Sequence, residues 1–312
     1  MANQQDTILL TGSTGFLGSR LLPALVAEGY RVRCLVRSLS KFRRRFPDLD
    51  VELVQGDLLQ SGNLEAAFSG VSTAYYLVHS MGGAGGPSRD FAEKDRRAAA
   101  NFVNQAEASG VNRIIYMGGL GEASESLSKH LRSRREVAEI LSSRQVPVTT
   151  LRAAVIIGAG SASFEMIRYL VERLPVMTCP RWVFTRCQPI AADNVIEYLT
   201  GCLLNAETTG KTLDICGPDT VTYRELMLIY ARVRGLRRII LPVPVLTPRL
   251  SAYWVELVTP IAGGIVRPLI EGLRNEVVCR DTRIHDLVPV SLLSMQEAIR
   301  RALAESGVSK ET

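Results

Sequence analysis

Gly12, Gly15 and Gly18 are the residues of this chain whose spacing most directly implies chemistry. They follow the apolar run Ile8-Leu9-Leu10 and precede Leu21, Leu22, Leu25 and Val26 at helical spacing. A strand that feeds a helix through glycines aims backbone N–H groups and the positive helix end at one spot, which suits a pyrophosphate. Gly12 would permit the tight turn, Gly15 the close approach of phosphate, and Gly18 the packing of helix on strand. Ser13, Thr14, Phe16 and Leu17 complete the loop and are candidate cofactor contacts with the glycines.

One strand later, Arg37 and Ser38 stand where an NAD site would carry a carboxylate for the ribose hydroxyls. A guanidinium suits the 2′-phosphate of NADP(H) instead, and Lys41 and Arg43 follow closely. Asp57 and Leu58, in Gly56-Asp57-Leu58, end a third strand. Asp57 could accept from the adenine amino group or cap a helix near Asn63. Val78, His79 and Ser80 end a fourth strand, and the ligand crevice of an open parallel sheet lies beyond such ends. His79 and Ser80 are therefore candidates for proton chemistry, and the glycines 82–86 make the following loop a candidate flap.

The elements that must position these groups alternate regularly. Strands are expected at Arg31–Arg37, Val51–Gln55, Ala74–Val78, Arg113–Met117 and Val148–Ile157, with helices over Arg89–Ser109 and Ser128–Leu141. On the first of these helices Phe91, Ala98, Ala99, Phe102, Val103 and Ala106 form the buried side, and Lys94 is read as solvated. Six strand–helix alternations define an α/β fold, a doubly wound parallel sheet of the Rossmann type. A smaller, mainly helical C-terminal lobe is expected to bind substrate. The division expected is 1–158 and 184–216 for the dinucleotide domain, 159–183 and 217–312 for the lobe.

The second half is less regular. A helix begins near Ser163, prolines interrupt the pattern over Pro175–Trp182, and Asp193 is placed to cap a helix running to Leu204. Thr212–Cys216 reads as a short strand, and Thr222-Tyr-Arg-Glu225 as a capping box. Ile239–Leu246 and Tyr253–Val258 make an apolar tail with five prolines between Pro242 and Pro268. Phe164, Met166, Trp182, Tyr253 and Trp254 are the candidate wall of an apolar substrate pocket. Contact with a membrane surface or a second copy is the competing use of that lobe.

The chain has 312 residues, 46% hydrophobic and 22% charged, as an ordinary globular protein does. The net charge is +6, but neither basic cluster, 37–45 or 129–135, has interleaved aromatics, which argues against nucleic acid. The six cysteines form no C-x-x-C pair and read as reduced thiols of a cytoplasmic protein. With three histidines, none at ligand spacing from a cysteine, no metal site is expected. No signal-peptide segment opens the chain, and no stretch approaches the roughly 20 apolar residues of a membrane span.

Thr11-Gly-Ser-Thr-Gly-Phe-Leu-Gly18, Gly56-Asp57-Leu58, the Arg152…Gly158-Ala-Gly160 segment and Pro189-Ile…Asp193 together resemble the short-chain dehydrogenase/reductase superfamily. The resemblance is to its extended and atypical branch, with NmrA-like proteins and an accessory-subunit type of respiratory complex I. It implies a Rossmann domain holding NADP(H), with Gly12, Gly15 and Gly18 on the pyrophosphate, Arg37 on the 2′-phosphate and Asp57 on the adenine. It also implies that the segment from Ile157 to Gly160 lies beside the nicotinamide.

The superfamily's serine or threonine after the fifth strand is replaced by Gly118 or Gly119, and no tyrosine has lysine four residues later. His130-Leu-Arg-Ser-Arg134 keeps the spacing with other residue types. Either His130 is a general acid, with Arg134 holding the ribose and His79 or Ser80 assisting, or the apparatus is lost and NADP(H) serves structure or sensing. His285 reads as surface or packing. The expectation is an NADP(H)-dependent oxidoreductase on an apolar carbonyl, alcohol or activated alkene. The alternatives are a non-catalytic accessory or redox-sensor protein and an epimerase or dehydratase.

Overall fold

The computed structural model describes residues 6–79, 91–121, 128–243, 255, 258–260 and 263–307. Strands in chain order are β1 (Thr7–Thr11), β2 (Arg31–Val36), β3 (Glu52–Gln55), β4 (Val71–Tyr76), β5 (Arg113–Gly119), β6 (Val148–Ala153) and β7 (Ile156–Ile157). They continue with β8 (Val176–Pro180), β9 (Arg186–Cys187), β10 (Ile190–Ala191), β11 (Thr212–Ile215), β12 (Val221–Thr222) and β13 (Ile239–Val243). The helices are α1 (Gly18–Ala27), α2 (Leu39–Arg45), α3 (Glu65–Phe68), α4 (Phe91–Ala108), α5 (Lys129–Leu141), α6 (Ala162–Arg173), α7 (Ala192–Leu204) and α8 (Tyr223–Val233). Three more, α9 (Gly263–Gly272), α10 (Ile284–Leu287) and α11 (Met295–Glu305), follow.

Seven strands form one parallel sheet in the order β11-β6-β5-β4-β1-β2-β3. The chain winds outward from β1 to β3 and then returns to β4 on the other side, so the strand order reverses between β1 and β4. Such a reversal opens a crevice at the carboxyl ends of the strands. Ile8, Leu9 and Leu10 are fully buried because both faces are covered. Ile8 and Leu10 face α1 and α7, and Leu9 faces the apolar sides of α3 and α4. This is the expected doubly wound α/β sheet, with additional helices towards the C-terminus.

A third apolar core, built on α6, α8, α9 and α11 with β8 and β13, makes the lobe. Ile284 and Val288, however, pack with Leu21, Tyr198 and Leu203 under the sheet. A Cβ at Gly201 on α7 would stand 2.2 Å from Val288 Cγ1, so this return crosses α7 at a glycine. His285 bonds there to the Tyr198 hydroxyl at 3.2 Å.

Four expectations are corrected. The sixth strand stops at Ala153, and Ile156–Ile157 pairs separately with β10. The proline-interrupted stretch contains β8, which pairs in parallel with β13; Pro180 and Pro242 are tolerated because both strands are edges of a two-stranded ribbon. Asp193 does not cap α7; it sits inside the first turn and pairs with Arg301 at 2.9 Å. The cysteines are not all thiols: Cys216 and Cys279 form a disulfide with Cα atoms 6.2 Å apart. Gln188 sets up that approach, accepting from Cys279 N at 3.1 Å and donating to the Gly217 carbonyl at 2.8 Å. Cys34, Cys179, Cys187 and Cys202 remain free and buried.

Candidate active site

The loop after β1 is shaped by its glycines. Gly12 has φ of +74°, and a Cβ there would lie 2.5 Å from the Leu77 carbonyl oxygen. A Cβ at Gly18 would lie 2.2 Å from the Gly12 oxygen, so α1 starts directly on the turn. Neither position accepts a side chain without moving backbone. The Gly15 N–H bonds back to the Gly12 carbonyl at 2.8 Å. No side chain caps α1 and its first turn has no acidic residue, which keeps its positive end available to an anion. Thr14 and Gly15 are exposed, whereas Ser13 is buried and turns towards Cys34. Phe16 is covered by the Arg20 guanidinium at 4.5 Å, and Gly158 packs beneath its ring. The Ile157 side chain is itself buried in the lobe core. The glycine loop and the 157–160 segment are therefore brought together.

Arg37 is exposed at the end of β2 and forms no ion pair with any described carboxylate. Ser38 caps α2 by accepting from Lys41 N at 3.3 Å. Asp57 accepts from Leu59 N at 3.0 Å and so shapes its own turn, while Leu58 is buried and its carbonyl is held by Asn101 of α4 at 2.7 Å.

Beyond the ends of β4 and β5 lies a buried polar cluster. His79 Nδ1 is 2.8 Å from Asp95 Oδ2, and Ser133 Oγ donates to the same oxygen at 3.2 Å. The His79 and His130 rings are 5.1 Å apart. Arg134, one turn along α5 from His130, reaches the Met117 carbonyl at 3.5 Å, and its backbone carbonyl accepts from the Tyr116 hydroxyl at 3.1 Å. His79 Nε2, His130 Nδ1 and the Tyr76 hydroxyl are buried with no hydrogen-bond partner among the described residues. Burial, helped by the Arg134 charge, lowers the His79 pKa to about 4 although Asp95 opposes the shift. Burial, then Arg134 and His79, lowers His130 well below the usual imidazole range. Both imidazoles are therefore held neutral at pH 7.

Three of the four proposed catalytic side chains are thus brought together: His79, His130 and Arg134. Ser80 lies outside the described residues, as do Tyr253 and Trp254. Of the expected pocket wall, Phe164 and Met166 fill the lobe core instead, with exposures of 1% and 3%. Trp182 stands partly buried edge-on to Tyr223, its indole N–H buried and unpartnered. A cavity of about 170 Å³ opens beside Arg134, bounded by Gly118, Gly119, Leu131, Thr150 and Arg152. A Cβ at Gly119 would lie 3.6 Å from Arg134 Cγ, so this glycine holds the place next to that arginine. Gly118 is closer to the Tyr116 ring, at 3.2 Å.

Asp95 and Ser133 were not among the expected site residues. The signal was present: position 95 falls on the buried stripe 95, 98, 102, 106 of α4, where a carboxylate must find a partner.

Residues 12–165 match the model of an NAD(P)H-binding family. Among curated relatives, ceramide reductase of Caulobacter vibrioides is 28% identical over 55% of this chain and 53% of its own length. A photosystem II assembly factor of Cyanophora paradoxa is 22% identical over 77% of this chain and 72% of its own. Divinyl chlorophyllide a 8-vinyl-reductase of Zea mays is 22% identical over 69% and 55%. The chain thus spans little more than half the length of either reductase. The fold of triphenylmethane reductase from Citrobacter sp., solved with NADP(H), superposes with a TM-score of 0.75 at 22% identity, covering 95% of this chain and 100% of that one. A nucleoside-diphosphate-sugar epimerase from Staphylococcus aureus gives 0.73 at 20%, covering 94% and 99%.

Proposed function

We propose that the protein is an NADP(H)-dependent oxidoreductase acting on a carbonyl, alcohol or activated alkene of an apolar small molecule. The observation that carries this reading is the His79–Asp95 pair, set with His130 and Arg134 beyond the ends of β4 and β5. The residues fit the dinucleotide: no Cβ could stand at Gly12 or Gly18, and Arg37 offers an exposed guanidinium to a 2′-phosphate. Asp57 would meet the adenine and Arg134 the nicotinamide ribose. The nicotinamide, when bound, supplies or accepts the hydride.

His79 handles the proton. Its Nδ1–H is donated to Asp95, which leaves the Nε2 lone pair to take a proton from a substrate hydroxyl, and Asp95 stabilises the imidazolium as it forms. In the reductive direction the Nε2–H returns that proton to the substrate oxygen. Arg134 stabilises negative charge on that oxygen, and neutral His130 contributes a dipole without a competing positive charge. The alignment over 72% of an assembly factor supports a second reading, a non-catalytic NADPH-binding accessory.

Titration with NADPH and NADH, followed by turnover assays with quinones, long-chain ketones and a triphenylmethane dye, separates the two. Tighter NADPH binding, lost in Arg37→Ala, with turnover suppressed in His79→Gln, is the expected result. NADPH binding with no oxidation by any acceptor, and with identical behaviour of His79→Gln, would sink the enzymatic reading. Tighter binding of NADH would sink the cofactor assignment.

A further inference from the structure

The lobe carries an outward face whose composition is unlike the rest of the surface. In the parallel ribbon β8/β13, Met177, Cys179 and Ile240 point into the lobe core, and the alternate positions point out. Val176 is paired with Ile239, and Leu241 with Thr178, so these residues share the outer face. Their exposures are 50% for Val176, 57% for Ile239 and 49% for Leu241; Phe184, on the turn packed against both strands, is 48% exposed. Four of the five large apolar side chains that are exposed among the described residues are therefore gathered on this one ribbon and its turn; the fifth, Leu204, stands apart at the end of α7.

The charge around the ribbon is mostly positive, with Glu172 and Glu276 as carboxylates paired to two of its arginines. Between 173 and 186 the sequence has Arg173, Arg181 and Arg186, and between 226 and 243 it has Arg232, Arg234, Arg237 and Arg238, with no carboxylate in either stretch. Several are tied inward: Arg234 to Glu172 at 2.7 Å, Arg238 to the Val171 carbonyl, and Arg173 to the Val258 carbonyl. Arg181, Arg232 and Arg237 are exposed and make no ion pair with a described carboxylate.

We propose that this face docks on an anionic lipid surface, with Val176, Phe184, Ile239 and Leu241 entering the headgroup boundary and Arg181 and Arg237 meeting the acidic headgroups. Aliphatic and aromatic side chains rimmed by cations are the pattern of interfacial binding. A second copy is the poorer occupant, because a two-fold contact would set one arginine rim against its duplicate. A nucleic acid would leave the apolar centre without a partner. The surface lies on the lobe, apart from the nucleotide loop, and the proposal is independent of the redox reading.

Sedimentation of the full chain with vesicles of phosphatidylcholine, with and without phosphatidylglycerol, tests it. Expected is binding to the phosphatidylglycerol vesicles only, weakened at least tenfold in Ile239→Glu/Leu241→Glu, and weakened again by salt or in Arg181→Glu/Arg237→Glu. Leu204→Glu should bind as the unmodified chain does. Retained NADPH affinity, or an unchanged far-ultraviolet spectrum, verifies that each variant folds; both charge-bearing pairs are solvent-facing, so either serves alone. Failure to sediment with phosphatidylglycerol vesicles overturns the proposal. So does a dimer in sedimentation equilibrium that Ile239→Glu/Leu241→Glu dissociates, because the face would then belong to a subunit contact.

Discussion

Two buried polar clusters lie at opposite ends of the same sheet, and they are finished differently. At the start of β5, Arg113 is 7% exposed and every donor of its guanidinium is used. Nε and Nη2 reach Thr149 Oγ1 at 3.1 and 2.8 Å, Nη1 reaches the Cys202 and Asn205 carbonyls, and Nη2 also reaches Thr208. At the far end, His79 and His130 each keep one buried nitrogen with no partner among the described residues. A saturated cluster holds structure together. An unsaturated one is maintained at a cost, and functional sites are where proteins tolerate that cost.

The widest separation between the two comes from Arg113→Met. It removes five buried hydrogen bonds, leaving the two threonine hydroxyls and two carbonyls only the bonds they make within their own cluster; at about 0.5–1.5 kcal/mol per bond a loss of roughly 3–5 kcal/mol is expected. The urea midpoint should fall with an unchanged slope, and NADPH affinity measured below the transition should be unaltered. A variant that folds normally but no longer binds nucleotide would erase the distinction between the clusters.

The difference between them also explains what the sequence revealed. The β1–glycine–α1 unit was legible because its determinants are local: an apolar run, three glycines and a helical stripe within twenty residues. That His79, His130 and Arg134 lie together is legible because strand ends and helix spacing point at one crevice. The Arg113 knot was invisible, since its partners come from β6, α7 and the turn after it. The Cys216–Cys279 bridge spans 63 residues and depends on how Gln188 and Asp214 hold the 279–281 backbone, which no spacing rule encodes. Asp95 was hidden in plain view on a stripe otherwise made of alanine, phenylalanine and valine.

Acid is the second way to tell the clusters apart. An imidazole with its pKa lowered in the folded state binds fewer protons there than in the unfolded chain, so its contribution is complete above the unfolded value near 6.5 and is lost as pH falls towards about 4. For His79 alone the full difference is on the order of 3 kcal/mol, with His130 acting in the same direction. Thermal unfolding should be flat above pH 7 and fall steeply from pH 6.5 to 4.5, before the paired carboxylates Glu225 and Asp281 lose their own contributions at lower pH. His79→Gln should flatten that descent. Arg113→Met should shift the curve down without changing its shape, and an equally altered shape would mean that the histidines are not its source.

A smaller change is expected from Asp95→Asn. It keeps the volume and a hydrogen bond, but an amide no longer fixes which nitrogen of His79 carries the proton, nor stabilises the imidazolium. Turnover should fall about 10–100-fold, by analogy with partners that orient a working histidine, with a shift in the pH profile. Ser133→Ala, which removes one donor to the same oxygen, should move the profile less. An unchanged profile in Asp95→Asn would make the carboxylate a packing partner only.

The smallest effect tests how closely the far end of β5 is packed. Gly119 has ordinary backbone geometry, and a Cβ there meets only the tip of Leu131 at 3.2 Å and the Arg134 stem at 3.6 Å. Leu131 must yield by a few tenths of an ångström, which a flexible side chain beside a 170 Å³ cavity can do. Gly119→Ser should therefore cost less than about 1 kcal/mol, well below the overpacking penalties of a close-packed core. It places a hydroxyl beside the Arg134 stem, at one of the two positions, Gly118 and Gly119, that the resemblance offers for a serine or threonine, so turnover should change by no more than about tenfold in either direction. NADPH affinity, read by titration, should stay as it was. Loss of folding in Gly119→Ser would show that this end of the strand is packed as tightly as the Arg113 end, and that its open valences are not matched by open space.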